Sequence, residues 1–457
     1  MSKSVALLLV LILVTSVNAT FLSVKAESRT IVVPDDHQTI ASAVGNATEG
    51  TTIYIKKGDY ELTEKALVIN KTLTIIGEDQ ANTKLIGPTD TRKGYELLAT
   101  RIAFRINADN FEISNLTITN SDYGVYINGN GTRVNNVSTS SIYTNGSQNS
   151  VSGCNVTLPS AIPNTLTTIG SLNLIQNNHI TSISCTGSFN KVAENSGVGL
   201  SIAGNSNAVV KNTVTFIDLS DSNSNVVFNN SVSNIEVRSS YNNTVIGNTV
   251  KGNTVWGILM GSGSGNVFCS NYISDFDNVF ISNGRRYGYG VAIGGYGNLA
   301  ENNLFYRNNF VNNYKDVSAN WPILGAGNLW DNGTYGNYWD DYSGVDSDND
   351  GIGDVEYSIR GQKWDPDIDA HVETVFGQDL YPLMDPFDIS TVAVELPNWT
   401  SQLPNPSQYS QGSEPEPSEP FPVLPVAAIV IAAVTTGAGL LVYFKKRNRD
   451  KTTTTIK

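Results

Sequence analysis

Asparagines recur in pairs five residues apart along the middle of this chain, and the spacing of those pairs constrains the fold more than any other feature. The pairs are Asn173/Asn178, Asn190/Asn195, Asn207/Asn212, Asn225/Asn230, Asn243/Asn248, Asn266/Asn271 and Asn298/Asn303. Their starts lie 17, 17, 18, 18, 23 and 32 residues apart. Asn110/Asn115 and Asn130/Asn135 read as earlier copies. The stretches "NNTVIGNTV" and "SNVVFNNSV" show the unit: an apolar β-branched or aromatic residue follows each asparagine at a fixed distance. Val209, Val227, Val245 and Phe268 share one slot, and Val214, Val232, Val250 and Ile273 share another. A period this short means one small unit per repeat, stacked on its neighbours. Valine, threonine and alternation favour short strands over helices. Asparagine and glycine tolerate the left-handed backbone of tight corners. The expected architecture is all-β, a parallel β-helix in which each strand pairs with its counterpart in the next coil, about 4.8 Å away, and asparagines of one slot form a hydrogen-bonded ladder. The competing architecture is a β-sandwich of hairpins, and coils near 17–18 residues with the same slot pattern argue against it.

The open end of such a solenoid exposes strand edges and apolar core, and must be covered. Thr39 to Val44 reads as a short capping helix, with Ile40, Ala43 and Val44 on one face and Gly45 as its stop. The stretches "IVVPDDHQTI", "GTTIYIKKGDY", "VINKTLTIIGE" and "GNYWDDYSGVDSDNDGIGD" together resemble the NosD-like, pectate-lyase-like right-handed parallel β-helix proteins of archaeal cell surfaces. The resemblance spans most of residues 30–385 and implies a carbohydrate-binding or sugar-hydrolase type of domain. That family mixes enzymes, binding proteins and surface proteins, so it implies a fold more firmly than an activity.

The chain ends carry export and anchoring signals. Lys3 precedes the short apolar run "VALLLVLILV", which small residues follow, as in a secretory signal over 1–26 cleaved after Ala19 or Ala26. The alternative is a retained N-terminal anchor. Val426 to Phe444 is uncharged and close to the roughly 20 residues of a membrane-spanning helix. The basic tail at 445–457 belongs on the cytoplasmic side. Residues 389–425, rich in proline, serine and acid, read as a stalk. Between signal and stalk the reading is an N-terminal cap with first coils (27–106), β-helix repeats (107–330) and an acidic C-terminal cap (331–388). The expected localisation is the cell membrane, single-pass, with the ectodomain outside. A net charge of −13 and a pI near 4.7 disfavour nucleic acid as a partner. Cys154, Cys185 and Cys269 are too few for a disulfide framework and read as buried fillers.

Metal and catalytic candidates are local. "GVDSDNDGIGD" begins like an EF-hand calcium loop, offering Asp346, Asp348, Asp350, the Ile352 carbonyl and Asp354. Its twelfth position is Tyr357 rather than a bidentate glutamate, so a further ligand must come from Asp340, Asp341 or Glu356. The alternative is a solvated acidic turn. The resemblance puts this loop at the end of the β-helix, as a structural Ca2+ clasp. Polysaccharide cleavage needs converging carboxylates, or an arginine base with acidic metal ligands. The insertion between repeats supplies weak catalytic candidates in Asp275, Asp277, Arg285 and Arg286, and sugar-stacking candidates in Tyr287, Tyr289 and Tyr296. Asp218, Asp221, Glu194 and Glu236 read as scattered acids on solvated turns. His37, His179 and His371 are far apart and do not form a copper motif. Sequons at Asn46, Asn70, Asn115, Asn130, Asn136, Asn145, Asn155, Asn229, Asn242, Asn332 and Asn398 permit glycosylation. The expected function is binding of a polysaccharide or cell-surface glycan, or a structural and adhesive role. The alternative is a polysaccharide lyase or glycoside hydrolase, and a copper accessory role is more remote.

Overall fold

In the computed structural model the described residues are 29–404, except 63–65, 88–100, 161–163, 253, 278–279, 283–284, 295–299, 320–326 and 366–369. The signal segment, the span at 426–444 and the basic tail lie outside them. Among the described residues no helix is long and apolar enough to cross a membrane.

Strands stack coil on coil in parallel register from the first described residues. Thr30–Val33 pairs with Thr52–Ile55, which pairs with Thr74–Gly77. The last rung pairs Tyr338–Trp339 with Asn309–Val311. Coils therefore begin before residue 107 and run past 330. Each coil of the repeat region turns through three faces. One holds the three-residue strands Ala208–Val210, Val226–Phe228 and Thr244–Ile246. A second holds strands such as Ser231–Val232 and Thr249–Lys251. The third holds the longer outer strands Asn234–Arg238 and Trp256–Met260. Side chains alternate in and out along each strand, and the inward ones form the core. Val209, Val227, Val245 and Phe268 are in register and fully buried, as the repeat predicts.

Two asparagine ladders hold the corners. One runs Asn149, Asn173, Asn190, Asn207, Asn225, Asn243, Asn266, Asn303 and Asn328, each amide oxygen accepting from the backbone N–H of the residue one coil earlier. The other runs Asn178, Asn195, Asn212, Asn230, Asn248, Asn271, Asn308 and Asn337. Each ladder asparagine before the last rung, Asn337, follows a residue with left-handed backbone. Leu172, Phe189, Glu194, Lys211 and Arg307 take that place as well as Asn and Gly. The corner is thus not selected for asparagine at its strained position. The asparagine next to it satisfies the corner's backbone groups, which would otherwise be buried without partners.

The structure corrects three readings of the repeat. The last pair is Asn303/Asn308, not Asn298/Asn303, because Asn303 accepts from Asn266 and Asn308 from Asn271. Asn110 and Asn115 are themselves left-handed corner residues, one position out of the slot that Phe111 fills. Asn130 likewise precedes the slot, where Thr132 bonds Asn149. No ladder asparagine is the acceptor of a sequon, although Asn230 and Asn243 are the middle residues of those at Asn229 and Asn242.

Both ends are closed. The helix Ile40–Asn46 caps the first coils, with Thr39 accepting from Ser42 N–H and Ile40, Ala43 and Val44 buried. It continues through Gly45, the expected stop, and ends at Asn46, with Ala47 as its extended C-cap. At the far end aromatic rings replace aliphatic core. Phe268, Phe305 and Trp330 stack 4.6 Å apart, and Phe310, Trp339 and Tyr357 stack 4.4 Å apart. A hairpin, Tyr357–Asp365 with Ala370–Asp379, lies over this end. The second ladder ends on Asp379, whose Oδ2 accepts from Asn337 N–H at 2.7 Å and from Trp339 Nε1 at 2.9 Å.

The stalk does not begin at residue 389. Phe387 exchanges hydrogen bonds with Asn309. From there the chain returns along the outside of the solenoid, and Leu396 and Trp399 cover Ala193, Ala208, Val210 and Phe228. Those residues form an apolar stripe on an outward face that the inward core pattern does not reveal. The three cysteines are free and buried. Burial pushes the Cys154 and Cys185 thiols up to about 12 and that of Cys269 up to about 11, so none is a ready nucleophile.

Candidate functional site

The third face presents polar and aromatic side chains outward in rows. One row aligns Arg105, Tyr126 and Tyr143, with the two tyrosine rings stacked 4.3 Å apart and Arg105 over Tyr126. Further along the same row Asp218 stands opposite Glu236 on adjoining strands. Arg238 Nη2 reaches Asp218 at 3.2 Å and Glu236 at 2.9 Å. These two acids are therefore not on solvated turns, as the sequence suggested. Glu194 and Asp221 do sit at left-handed corners. A neighbouring row aligns Trp256, Tyr289 and Lys315.

That row leads into a groove of about 720 Å3 between the last coils and the capping hairpin. Tyr314, Lys315 and Asp316 come from the last outer strand and its approach. Trp339 comes from the final rung, and Asp340, Asp341 and Tyr342 from the turn after it. Tyr357, Arg360 and Glu373 come from the hairpin. Asp316, Asp340 and Asp341 bring carboxylate oxygens within 4.8 Å of one another. Asn313 donates to Asp316 at 2.9 Å. Asp340 accepts from Asn312 N–H, and Tyr357 hydrogen-bonds Asp341. Asp316 keeps some exposed surface, yet its carboxyl is set deep among protein atoms. Burial pushes it up to about 7, with Asp341 and Asp340 adding to the rise and Asn313 opposing it. It is therefore largely protonated at slightly acid pH while its neighbours are not buried.

Among the described residues, the insertion candidates Asp275 and Asp277 are not brought into such a cluster. Asp275 is a left-handed corner residue bound by Asn312 at 2.8 Å and Lys251 at 3.2 Å. The Asn312 amide, followed by Lys251, holds its carboxyl below the usual carboxylate range, which suits a corner anchor and not a proton donor. Asp277 lies beside that corner, partly buried. The backbone of Arg285–Tyr287 pairs antiparallel with Phe280–Ser282, and the side chains of Arg285, Arg286 and Tyr287 lie outside the described residues, as does Tyr296. Among the described residues of the set, Tyr289 stands in the row that enters the groove.

In the aspartate loop, Asp346, Asp348 and Asp350 converge within 4.8 Å. Asp346 accepts from the N–H groups of Asp350 and Gly351, and Gly351 takes the positive φ of 86° that the sharp turn at the sixth position requires. Asp350 raises the Asp348 carboxyl by repulsion. Asp354 instead is held low by the Ser347 side chain and then by the Ser347 backbone N–H, from which it accepts at 2.8 Å. The Ile352 backbone pairs with Leu383. Neither Asp340 nor Asp341 supplements this loop, since both belong to the groove, and Glu356 accepts from Gln378.

Sequence reasoning missed Asp316, Asp340 and Asp341 as a set. The doublet in "YWDDY" was visible, but Asp316 comes from an earlier coil, and only the stacking register brings it alongside.

Fold and site define a right-handed parallel β-helix protein with an acidic, aromatic-lined groove at its C-terminal end. No protein-family profile matches the sequence, and no curated protein does. Among solved structures it is similar to the catalytic domain of a GH87 α-1,3-glucanase, at 15% identity and a TM-score of 0.49 over 68% of this chain and 69% of that one. It is also similar to a mannuronic-acid-specific polysaccharide family 6 lyase from human gut microbiota, at 14% identity and a TM-score of 0.49 over 68% and 86%. A mannuronan C-5 epimerase A-module from Azotobacter vinelandii matches at 10% identity and a TM-score of 0.44 over 62% and 91%. Similarity this low transfers no residue role.

Proposed function

We propose that this chain is an exported, membrane-anchored, NosD-like surface protein of an archaeon that binds a polysaccharide along its outer β-helical face. The observation that carries the reading is the register-aligned row Trp256, Tyr289 and Lys315 running into the C-terminal groove. Aromatic faces stack on the apolar faces of sugar rings, and the surrounding amides, hydroxyls and carboxylates match their hydroxyls. Ca2+ at Asp346, Asp348 and Asp350 serves this reading as a clasp on the end of the solenoid. The apolar run at 426–444 and the basic residues after it support the anchor, and the acidic composition supports a partner other than nucleic acid.

A second reading, glycoside hydrolysis, is favoured by Asp316. A carboxyl raised to about 7 beside two exposed carboxylates matches an acid and nucleophile pair. In that case Asp316 protonates the glycosidic oxygen while Asp340 or Asp341 attacks the anomeric carbon, and water then hydrolyses the glycosyl ester with Asp316 as the base, since carboxylate oxygens within 4.8 Å leave no room for a water between them. Activity would fall as pH rises through about 7. Asp218 and Glu236 suit this chemistry less, because one arginine nitrogen holds both.

The test is incubation of the full chain with a polysaccharide panel, in calcium and in chelator, reading both retention and released product. Retention without release, weakened by Trp256→Ala and Tyr289→Ala, supports binding. Release that disappears in Asp316→Asn replaces it with hydrolysis. Neither retention nor release from any polymer overturns both readings.

A further inference from the structure

The first coils carry a recess of their own, on a corner of the solenoid and away from the C-terminal groove. The corner at 78–82 joins the strands Thr74–Gly77 and Thr83–Ile86. In the next coil a single strand, Glu112–Thr119, pairs with both and turns at Asn115. The longer corner reaches over the shorter one. Thr117 Oγ1 pins it by donating to Gln80 O at 2.7 Å, and Asp79 Oδ1 stiffens it by accepting from the N–H groups of Ala81 and Asn82. Beneath it lies a recess of about 510 Å3 lined by Lys57, Glu78, Asp79, Gln80, Asn115 and Asn136. Asn136 Nδ2 donates to Asn115 Oδ1 at 2.9 Å, which fixes the Asn115 amide. Asn115 is 2% exposed, and its Nδ2 is buried with no hydrogen-bond partner among the described residues. A buried donor without an acceptor is costly, and a ligand oxygen in the recess relieves it.

We infer that this recess binds a neutral sugar unit through its hydroxyls. Donors and acceptors are mixed in its walls: Lys57 and the carboxamides of Gln80, Asn115 and Asn136 donate, while Glu78, Asp79 and the amide oxygens accept. A hydroxyl does both, so a ring carrying several answers each wall in turn. Charged ligands fit less well. An anion meets Glu78 and Asp79, and a cation meets Lys57, whose Nζ stands 3.6 Å from Glu78. Among the described residues no aromatic ring lines the recess, so an aromatic ligand finds no stacking face. The hydrogen bonds within the overhanging corner hold the recess in shape before a ligand arrives, which limits the ordering cost of binding.

Saturation-transfer NMR and calorimetry on the full chain test this with the methyl glycosides of glucose, galactose and mannose, with glucuronate, with glucosamine and with Ca2+ alone. The expected result is that a neutral glycoside binds with a Kd on the order of 1 mM, and the charged sugars about tenfold more weakly. Gln80→Ala should weaken the neutral glycoside about tenfold and leave Tm unchanged. If Tm falls in that variant, Asn136→Gly decides in its place, because Gly153 holds the same corner one coil on. Binding that neither substitution weakens puts the sugar elsewhere and overturns the inference. So does tightest binding of a charged sugar, displacement of the glycoside by Ca2+, or no binding of any neutral glycoside. Retention of polysaccharide on the outer face is a separate readout, so the glycan-binding reading above stands or falls independently of these outcomes.

Discussion

Asp379 stands where the second ladder would need another asparagine. It is fully buried and takes donors on both oxygens, from Asn337, Trp339 and Tyr381. Burial nevertheless pushes its carboxyl up to about 6, against those hydrogen bonds. A raised carboxylate pKa means that the folded state holds its proton more tightly than the unfolded chain. Stability therefore falls as pH rises from about 4 to about 6 and is lowest above that window. The shift corresponds to about 3 kcal/mol. Melting of wild type and Asp379→Asn compared from neutral to mildly acid pH should show wild type gaining on the variant as pH falls. A constant difference between them would mean that Asp379 is not titrating there. The same scale explains Asp316, whose identity as an aspartate was plain but whose depth in the groove was not.

At the scale of elements, the ladders and the returning C-terminal segment stabilise the coils in different ways. Asn248 accepts from Asn230 N–H and Nδ2, and donates to Val227 O, Ile246 O and Asn271. Asn248→Ala orphans several buried backbone groups at once and should cost about 3 kcal/mol. Because contacts run mainly between neighbouring coils, hydrogen exchange should quicken around residues 226–273 and much less near the N-terminal cap. The segment 387–404 instead adds apolar cover to an already complete coil stack. Trp399→Ala removes the ring that meets Phe189 and should weaken docking by about 2 kcal/mol. Limited proteolysis would then cut after residue 387 with the coils left intact, whereas unchanged resistance would show that the segment is held without its tryptophan. Proline and serine content pointed to a stalk here. Leu396 and Trp399 were the contrary signal, but two apolar residues carry little information until the stripe they cover is visible.

For the whole molecule, the aspartate loop ties the end of the solenoid to the chain that leaves it. Gly353 N–H donates to Pro382 O and Met384 N–H to Gly351 O, and Leu383 N–H donates to Asn337 O on the final coil. A cation among Asp346, Asp348 and Asp350 should therefore stabilise the closing of the fold and not just the loop. Asp348→Ala with Asp350→Ala should lower Tm in calcium and leave it unchanged in chelator. An equal loss in both conditions would remove calcium from the account.

The period, the corner residues and the alternation were local properties of the chain, so the sequence by itself determined that it coils as a parallel β-helix with an N-terminal helical cap and buried, unreactive cysteines. Even the slips in the ladder were of one corner, where an asparagine before the slot looks like an asparagine within it. What tertiary structure decided was which side chains from different coils meet. Stacking at a constant register sets residues one coil apart side by side, but insertions of variable length break the count from one coil to the next. Asp316 meets Asp340 and Asp341, Asp218 meets Glu236, and Trp399 meets Val210 because the coils stack, and no spacing along the chain carries those distances.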